Sequence, residues 1–554
     1  MRGFLSSDRG MLAVLRSPLL PFLLVGIGSL GSVPAQGMRG GLGADGHFLP
    51  GQACALCHSA SPQAQALWNS TGDDVSPHGT WQGTMMANAF RDPYWRAQVA
   101  KEVAAAPEKR AEIEGLCLTC HGPMVHHDAL LGGRAAPSIA AAAEQPLARD
   151  GVSCTVCHQA LPDGLGTEAS FSGRLTIRGE RKIFGPYADP AFQPMRMHTG
   201  YLATHGAHVQ KAGLCGSCHT LITSHVPGAK PFPEQTPYLE WRNSIFSNEV
   251  SDEGGATKTS RTCQECHMPE QGDMRIARNP MGRDFNIATR PDVRAHAFVG
   301  GNAFMLDLLR RNREELKVEA PEEALLRTAR ATRRQLAHDT ATLEVEGAFR
   351  DGATLSFAVR VTNRTGHKLP TGYPARRAWL RVSVRVGNDT VFASGDLDAQ
   401  GRIAGVEDER VLPHRDRITD ASQVQVYECV PVNADGTPTT HLTRMAAMGK
   451  DNRLLPAGWR NDAPDAARIA PVGLGDDADF RGGEDLVHYA VTLPGGASGR
   501  AVIVATLLYQ SVPPSWVEPL RAVDADEART FVRMYDAMEK GAETLALTVK
   551  IVAD

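Results

Sequence analysis

The chain has 554 residues, 42% of them hydrophobic and 22% charged, which is too much polypeptide for one core and predicts two or three domains. A formal net charge of −4 and a pI near 6.6 exclude a broad electrostatic attraction to nucleic acid or to an anionic membrane surface. What remains to be explained is the supply of soft and titratable ligands, 11 cysteines and 19 histidines.

Residues 1–35 read as a secretory signal peptide. Arg2, Arg9 and Arg16 precede an apolar run from Leu19 to Leu30, and small residues lead to Val33-Pro34-Ala35, an A-x-A-like cleavage site. The run is short of the ~20 residues a spanning helix needs, and its Gly and Pro content argues against a retained anchor. No later stretch is apolar enough to span a bilayer, so the expectation is a periplasmic or otherwise exported protein with no membrane span after cleavage.

Between residues 54 and 267 the pattern Cys-x-x-Cys-His occurs five times: Cys54/Cys57/His58, Cys117/Cys120/His121, Cys154/Cys157/His158, Cys215/Cys218/His219 and Cys263/Cys266/His267. Chance would place roughly 0.01 copies in such a chain, so five need a common cause. Zinc sites use such pairs two at a time, leaving one unmatched and giving the following histidine no role. Disulfide frameworks scatter their cysteines rather than repeating one vicinal pair. Haem c attachment explains every residue: two thiols one turn apart bond the porphyrin vinyl groups, and the adjacent histidine lies under the iron as proximal ligand. Five covalently bound haem c groups are therefore expected. Cys429 is left over and reads as a buried structural cysteine.

The intervening segments are rich in Gly, Pro and Ala with few long amphipathic patterns, as expected where flat apolar cofactors act as the core and short helices and loops wrap them. A helical-looking segment covers Met85–Val103. Each iron needs a sixth ligand, and the favoured distal candidates are His78, one of His126 and His127, His208, His296 and His367. His198, His205 and His225 sit in similarly distinctive contexts. Met195 and Met197 are rival ligands, more simply read as packing beside a haem.

Two amphipathic helices are predicted next, Ala303–Leu316 and one from Pro321 to about Leu336. Arg327, Arg330, Arg333 and Arg334 on the second face either haem propionates or solvent. From Thr342 the period changes to two, with strands predicted over 342–349, 354–362, 378–386, 391–393, 423–430, 486–493 and 501–510, and a last helix over 524–539 packing on the sheet edge. The expected fold is multidomain: a signal peptide (1–35), a mainly α and irregular multihaem cytochrome c domain (36–300), a helical linker (301–340), and an immunoglobulin-like β-sandwich with a C-terminal helix (341–554). His367 falls between the second and third strands, so haem ligation there would clamp the sandwich to the haem domain.

The five motifs, with Asp92-Pro93-Tyr94-Trp95-Arg96-Ala97, Asp150-Gly151-Val152-Ser153-Cys154, the stretch Glu234 to Trp241, His296 to Asn302 and Gly366 to Gly372, resemble a bacterial multihaem cytochrome c of the cytochrome c554-like group. The resemblance covers roughly residues 50–375. It implies closely packed haems, mostly bis-histidine ligation and electron transfer between redox proteins; the family's best-known members carry four haems rather than five. Three functions are weighed on this basis. The first is an exported carrier of single electrons between other redox proteins. The second is an oxidoreductase acting on a small nitrogen compound at a five-coordinate haem, although no Cys-x-x-Cys-Lys motif and no compelling acid/base pair is present in the sequence. The third makes the sandwich a docking module, which is compatible with the first.

Overall fold

Short elements dominate the first 300 residues because local chemistry starts and stops them early. The computed structural model describes residues 46–249, 257–495 and 498–553, so the expected signal peptide lies outside the described residues. Asp92 caps the backbone N–H groups of Tyr94 and Trp95, and Pro93 opens the helix Pro93–Ala105, at 13 residues the longest among the described residues before position 300. This replaces the helix expected over Met85–Val103: residues 83–91 form turns, since the Asp92–Pro93 start signal lies inside that window. The helix Cys263–His267 opens with a capping box between Thr262 and Glu265.

Two small sheets complete this region. Lys182–Gly185 (β1) pairs in parallel with Leu202–His205 (β2), and Leu221–Thr223 (β3) pairs antiparallel with Phe232–Gln235 (β4). Apolar side chains here gather in several small clusters around an open interior rather than in one core. A chain that cannot fill its own centre needs something apolar to fold around.

The helices Ala303–Arg311 and Glu322–Asp339 follow. Two of the second helix's arginines are engaged by the protein. Arg327 donates to the Gly79 carbonyl at 2.9 Å, and Arg333 joins Asp307 at 2.7 Å and Glu543 at 2.9 Å. Among the described residues no helix is long and apolar enough to cross a membrane.

The remainder is sheet. Ala341–Asp351 (β5), Thr354–Asn363 (β6), Arg377–Val386 (β7) and Asp389–Ser394 (β8) come first, then Arg417–Ile418 (β9), Val426–Tyr427 (β10), Cys429–Val432 (β11) and Ala447–Asp451 (β12). Glu484–Thr492 (β13), Ala501–Gln510 (β14) and Glu543–Val552 (β15) end the series. One sheet has the order β5-β6-β13-β9; the other runs β10-β7-β14-β15, with β8 also on β7. Alternate residues of both sheets meet in one core: Val345, Phe357, Val359, Val487 and Tyr489 from the first, Leu380, Val382, Val384, Ile503 and Leu507 from the second.

Three expectations change. The strand expected over 423–430 divides at Glu428, whose backbone N–H donates to the Asn452 side chain at 3.0 Å, so β10 and β11 pair in different sheets. The strand β15 was not anticipated, because after the register shift at Leu507/Leu508 its apolar residues Leu547, Val549 and Ile551 point outward. The last helix is Asp526–Asp536 and packs on Pro93–Ala105 through Phe531, Met534, Tyr94 and Ala97, not on the sheet edge. Cys429 is buried, its thiol 3.7 Å from the Pro374 carbonyl.

Candidate functional site

All five motifs fold the same way, with the two cysteines three residues apart on a helical turn and the histidine next to the second. Residues three apart on a helix share one face, which is what two thiols bonding one porphyrin require. The first two motifs end the helices Gly51–His58 and Arg110–His121; the third and fifth sit on Cys154–Cys157 and Cys263–His267, and the fourth runs off Ala212–Gly216. The ten cysteines and five adjacent histidines all line one continuous cavity of about 1350 Å³.

The motifs touch one another out of sequence order. Cys54 lies beside Cys154, Cys120 beside Cys218, and Cys215 beside Cys263. Motifs one and three are therefore neighbours, as are two and four, and four and five. The approach of the third motif depends on Gly151, with φ +59: a Cβ there would sit 2.5 Å from the Met86 carbonyl oxygen. Across that crossing Val152 N–H donates to the same carbonyl at 2.9 Å. At the fourth motif Gly216 leaves room for the Tyr238 ring, which a Cβ would meet at 2.6 Å.

The motif histidines are oriented by the backbone. Nδ1 lies 2.9 Å from the Ile276 carbonyl in His58, 3.0 Å from Ala89 in His121 and 2.6 Å from Phe184 in His158, and Nδ1 of His267 meets the Val299 carbonyl. A carbonyl oxygen only accepts, so each Nδ1 carries the hydrogen and each Nε2 keeps its lone pair. Burial favours the neutral ring, pushing His121 and His219 down to about 4.

Two further histidines lie parallel to motif histidines. His296 and His158 have ring centres 6.2 Å apart at an interplanar angle of 22°; His367 and His267 are 6.3 Å apart at 12°. That is too far for stacking contact. Metal–nitrogen bonds are about 2 Å, so two imidazoles bound end-on to opposite sides of one iron have centres roughly 6 Å apart. Both partners also donate Nδ1–H to carbonyls, His367 to Lys368 at 2.9 Å and His296 to Arg294 at 3.3 Å. The residues present thus fit an iron porphyrin.

His78 also lines the cavity, close enough to His58 for their charges to interact. His127 and His208 are buried and His126 is half-buried, but none of the three is among the cavity-lining residues; His208 Nε2 donates to the Ala160 carbonyl at 2.8 Å. His198 and His225 do line it, as does Met195, whereas Met197 is 75% exposed.

Beside the second motif the wall is polar. Tyr94, Gln98 and Glu102 project from one face of Pro93–Ala105 at four-residue spacing, joined by Glu234 of β4 and Tyr373 of the loop before β7, and all five line the cavity. The Tyr94 and Tyr373 hydroxyls and both amide atoms of Gln98 are buried close to one another, with no partner outside this group. Burial pushes Glu234 up to about 8, so its carboxyl holds a proton at neutral pH. The helical spacing of 94, 98 and 102 was readable from sequence; the arrival of Glu234 and Tyr373 was not. Trp95, from the next position, stacks on His121 at 4.4 Å between centres.

Five haem-attachment motifs around one cavity define a multihaem c-type cytochrome. Residues 53–159 match the family described as cytochrome c554 and c-prime. The fold is similar to the crystal structure of a penta-heme cytochrome c552 from Thermochromatium tepidum, with a TM-score of 0.51 and 14% identity over 91% of this chain and 99% of that one. A search of the curated proteins found no match. The match over residues 53–159 and the shared fold support a multihaem cytochrome c of the c554-like group with covalently attached haem c.

Proposed function

We propose that the chain is an exported cytochrome with five haem c groups that carries single electrons between redox proteins, each haem held by one Cys-x-x-Cys-His motif. The parallel rings of His158/His296 and His267/His367 carry this reading, because they have the spacing and protonation of bis-histidine ligation; His58/His78 is proposed as a third pair. The haems supply one-electron iron chemistry, and the chain's residues attach them, orient their imidazoles and shield them from water. The contacts of motifs one and three, two and four, and four and five, with Cys157 of motif three close enough to Cys215 of motif four for their charges to interact, support a continuous path. Residues 36–300 are proposed as the haem domain, 301–340 as the linker and 341–554 as an immunoglobulin-like β-sandwich, supported by two sheets sharing one core. Haem quantification on the purified protein should return five per chain with a predominantly low-spin spectrum; fewer haems, or a mainly high-spin spectrum, would refute the carrier.

A second reading has its own support. The wall beside the second motif offers the hydroxyls of Tyr94 and Tyr373 and the protonated carboxyl of Glu234. An open iron position next to proton donors would suit reduction or oxidation of a small nitrogen compound. A high-spin component that nitrite or hydroxylamine converts to low spin, with weaker binding in Glu234→Gln, would favour this reading. Spectra indifferent to both compounds would eliminate it.

A further inference from the structure

The C-terminal sheets hold a second concentration of metal-ligating side chains, none of which lines the haem cavity. His488 projects from β13, and its backbone N–H donates to the Asp416 carbonyl at 2.8 Å, just before β9. Its Nε2 lies 3.2 Å from Asp479 Oδ2 and 4.0 Å from Asp416 Oδ1. One ligand atom from each of the three falls within 4.8 Å of the others, and all three side chains reach solvent. Behind them His414, Asp477 and Asp485 form a buried group of the same spacing.

The two histidines are not equivalent. Asn452 is fixed by donating Nδ2–H to the Val426 carbonyl at 2.8 Å and accepting from Glu428 N–H at 3.0 Å. Its Nδ2 also donates to His414 Nδ1 at 2.9 Å, as does Gln425 Nε2. His414 must therefore carry its hydrogen on Nε2, which donates to Asp477 Oδ2 at 2.7 Å. It has no lone pair for a metal and acts as a positioning group for Asp477. No hydrogen bond fixes His488 Nδ1 among the described residues, so the ring can carry its hydrogen there and turn Nε2, which bonds Asp479 Oδ2 at 3.2 Å, to a metal.

The charge is unbalanced. Asp416, Asp477, Asp479 and Asp485 form no ion pair with lysine or arginine among the described residues. Asp485 is 1% exposed; Tyr427 donates to its Oδ2 at 2.6 Å, while Oδ1 is buried without a partner, as is Oδ1 of Asp479. A buried carboxylate oxygen with nothing to accept from, beside three more carboxylates, is the situation a cation relieves.

We propose that Asp416, Asp479 and His488 bind one divalent transition-metal ion of the zinc or manganese class, with Asp477 and Asp485 adding negative charge from behind. Imidazole beside carboxylates suits these ions better than calcium, and three protein ligands leave positions for water. The ion would fasten the 411–418 and 476–481 segments to β13. The test uses the full-length haem-loaded protein, stripped with chelator and titrated with Mn²⁺ while the free ion is followed by paramagnetic resonance. The parent should take up one more Mn²⁺ than Asp479→Asn, Zn²⁺ should displace it, and His488→Gln and Asp416→Asn should each bind at least tenfold more weakly. An unchanged haem spectrum would show that the variants are folded; Asp416, half exposed, provides the mildest change. Equal uptake by parent and variants, or displacement by Ca²⁺ but not Zn²⁺, would overturn the proposal.

Discussion

His367, carried on the loop between β6 and β7, lies parallel to His267 of the fifth motif with ring centres 6.3 Å apart. The two are 100 positions apart in the chain, and the loop that brings them together is held from both sides. Glu240, on the helix Pro237–Arg242, accepts from Lys368 N–H at 3.1 Å and from the Thr371 hydroxyl. Its other oxygen meets Arg453 at 3.1 Å, and Arg453 and Lys368 both bond Asp451, at 2.8 and 2.6 Å.

If His367 is an axial ligand, His367→Ala should change the visible spectrum of one haem and leave the others low-spin. His208→Ala should leave the spectrum unchanged, since its ring bonds the Ala160 carbonyl. Identical spectra for His367→Ala and the parent would remove the ligand assignment.

Glu240 is fully buried among two cations and three backbone or hydroxyl donors, the third being the Thr236 hydroxyl at 3.1 Å. Removing one member of a buried ionic network leaves the rest uncompensated, at a cost of about 3–5 kcal/mol. Glu240→Gln should therefore lower the denaturant midpoint sharply, whereas a surface change such as Asp524→Asn should not. A midpoint within error of the parent would show that the network contributes little.

Burial alone would raise Asp451, but the charges of Arg453 and Lys368 overcome it and hold the carboxyl at about 2, below its ordinary 3.8. A depressed carboxylate stabilises the fold above its unfolded value, and that contribution disappears as pH falls through the folded value. Stability measured from pH 5 down to about 2 should fall in the parent, with a shallower slope in Asp451→Asn, which starts from lower stability. Parallel slopes would mean that other groups govern acid unfolding.

Gly151→Ala combines a left-handed φ of +59 with a Cβ 2.5 Å from the Met86 carbonyl oxygen. Strain of this kind costs about 1–3 kcal/mol, and here the clash adds to it. The variant should show a lower melting temperature or reduced haem content. Gly541→Ala, at an exposed position away from the cavity where a Cβ would meet nothing within 4 Å, is the control.

The attachment chemistry was legible because it is local: Cys-x-x-Cys-His puts both thiols and the imidazole on one turn whatever surrounds it. Strands such as β6, β7 and β14 were also legible, since their alternation reflects a buried face. The histidine pairs were harder. His296 and His367 stood out by context, but so did His208 and His126, and nothing in a sequence distinguishes a ring facing an iron from one facing a carbonyl. The polar wall of Tyr94, Gln98, Glu234 and Tyr373 escaped notice because its members come from three separate elements.

By itself, then, the sequence determined that porphyrins are attached, where each is tethered and that a sheet region follows, because covalent geometry and period-two burial are short-range properties. Only the tertiary structure decided which motifs adjoin, which histidines oppose them and how Glu240 joins the sheet region to the motif-bearing one. Those are relations between distant residues, set by which surfaces can pack once charges and carbonyls have found partners.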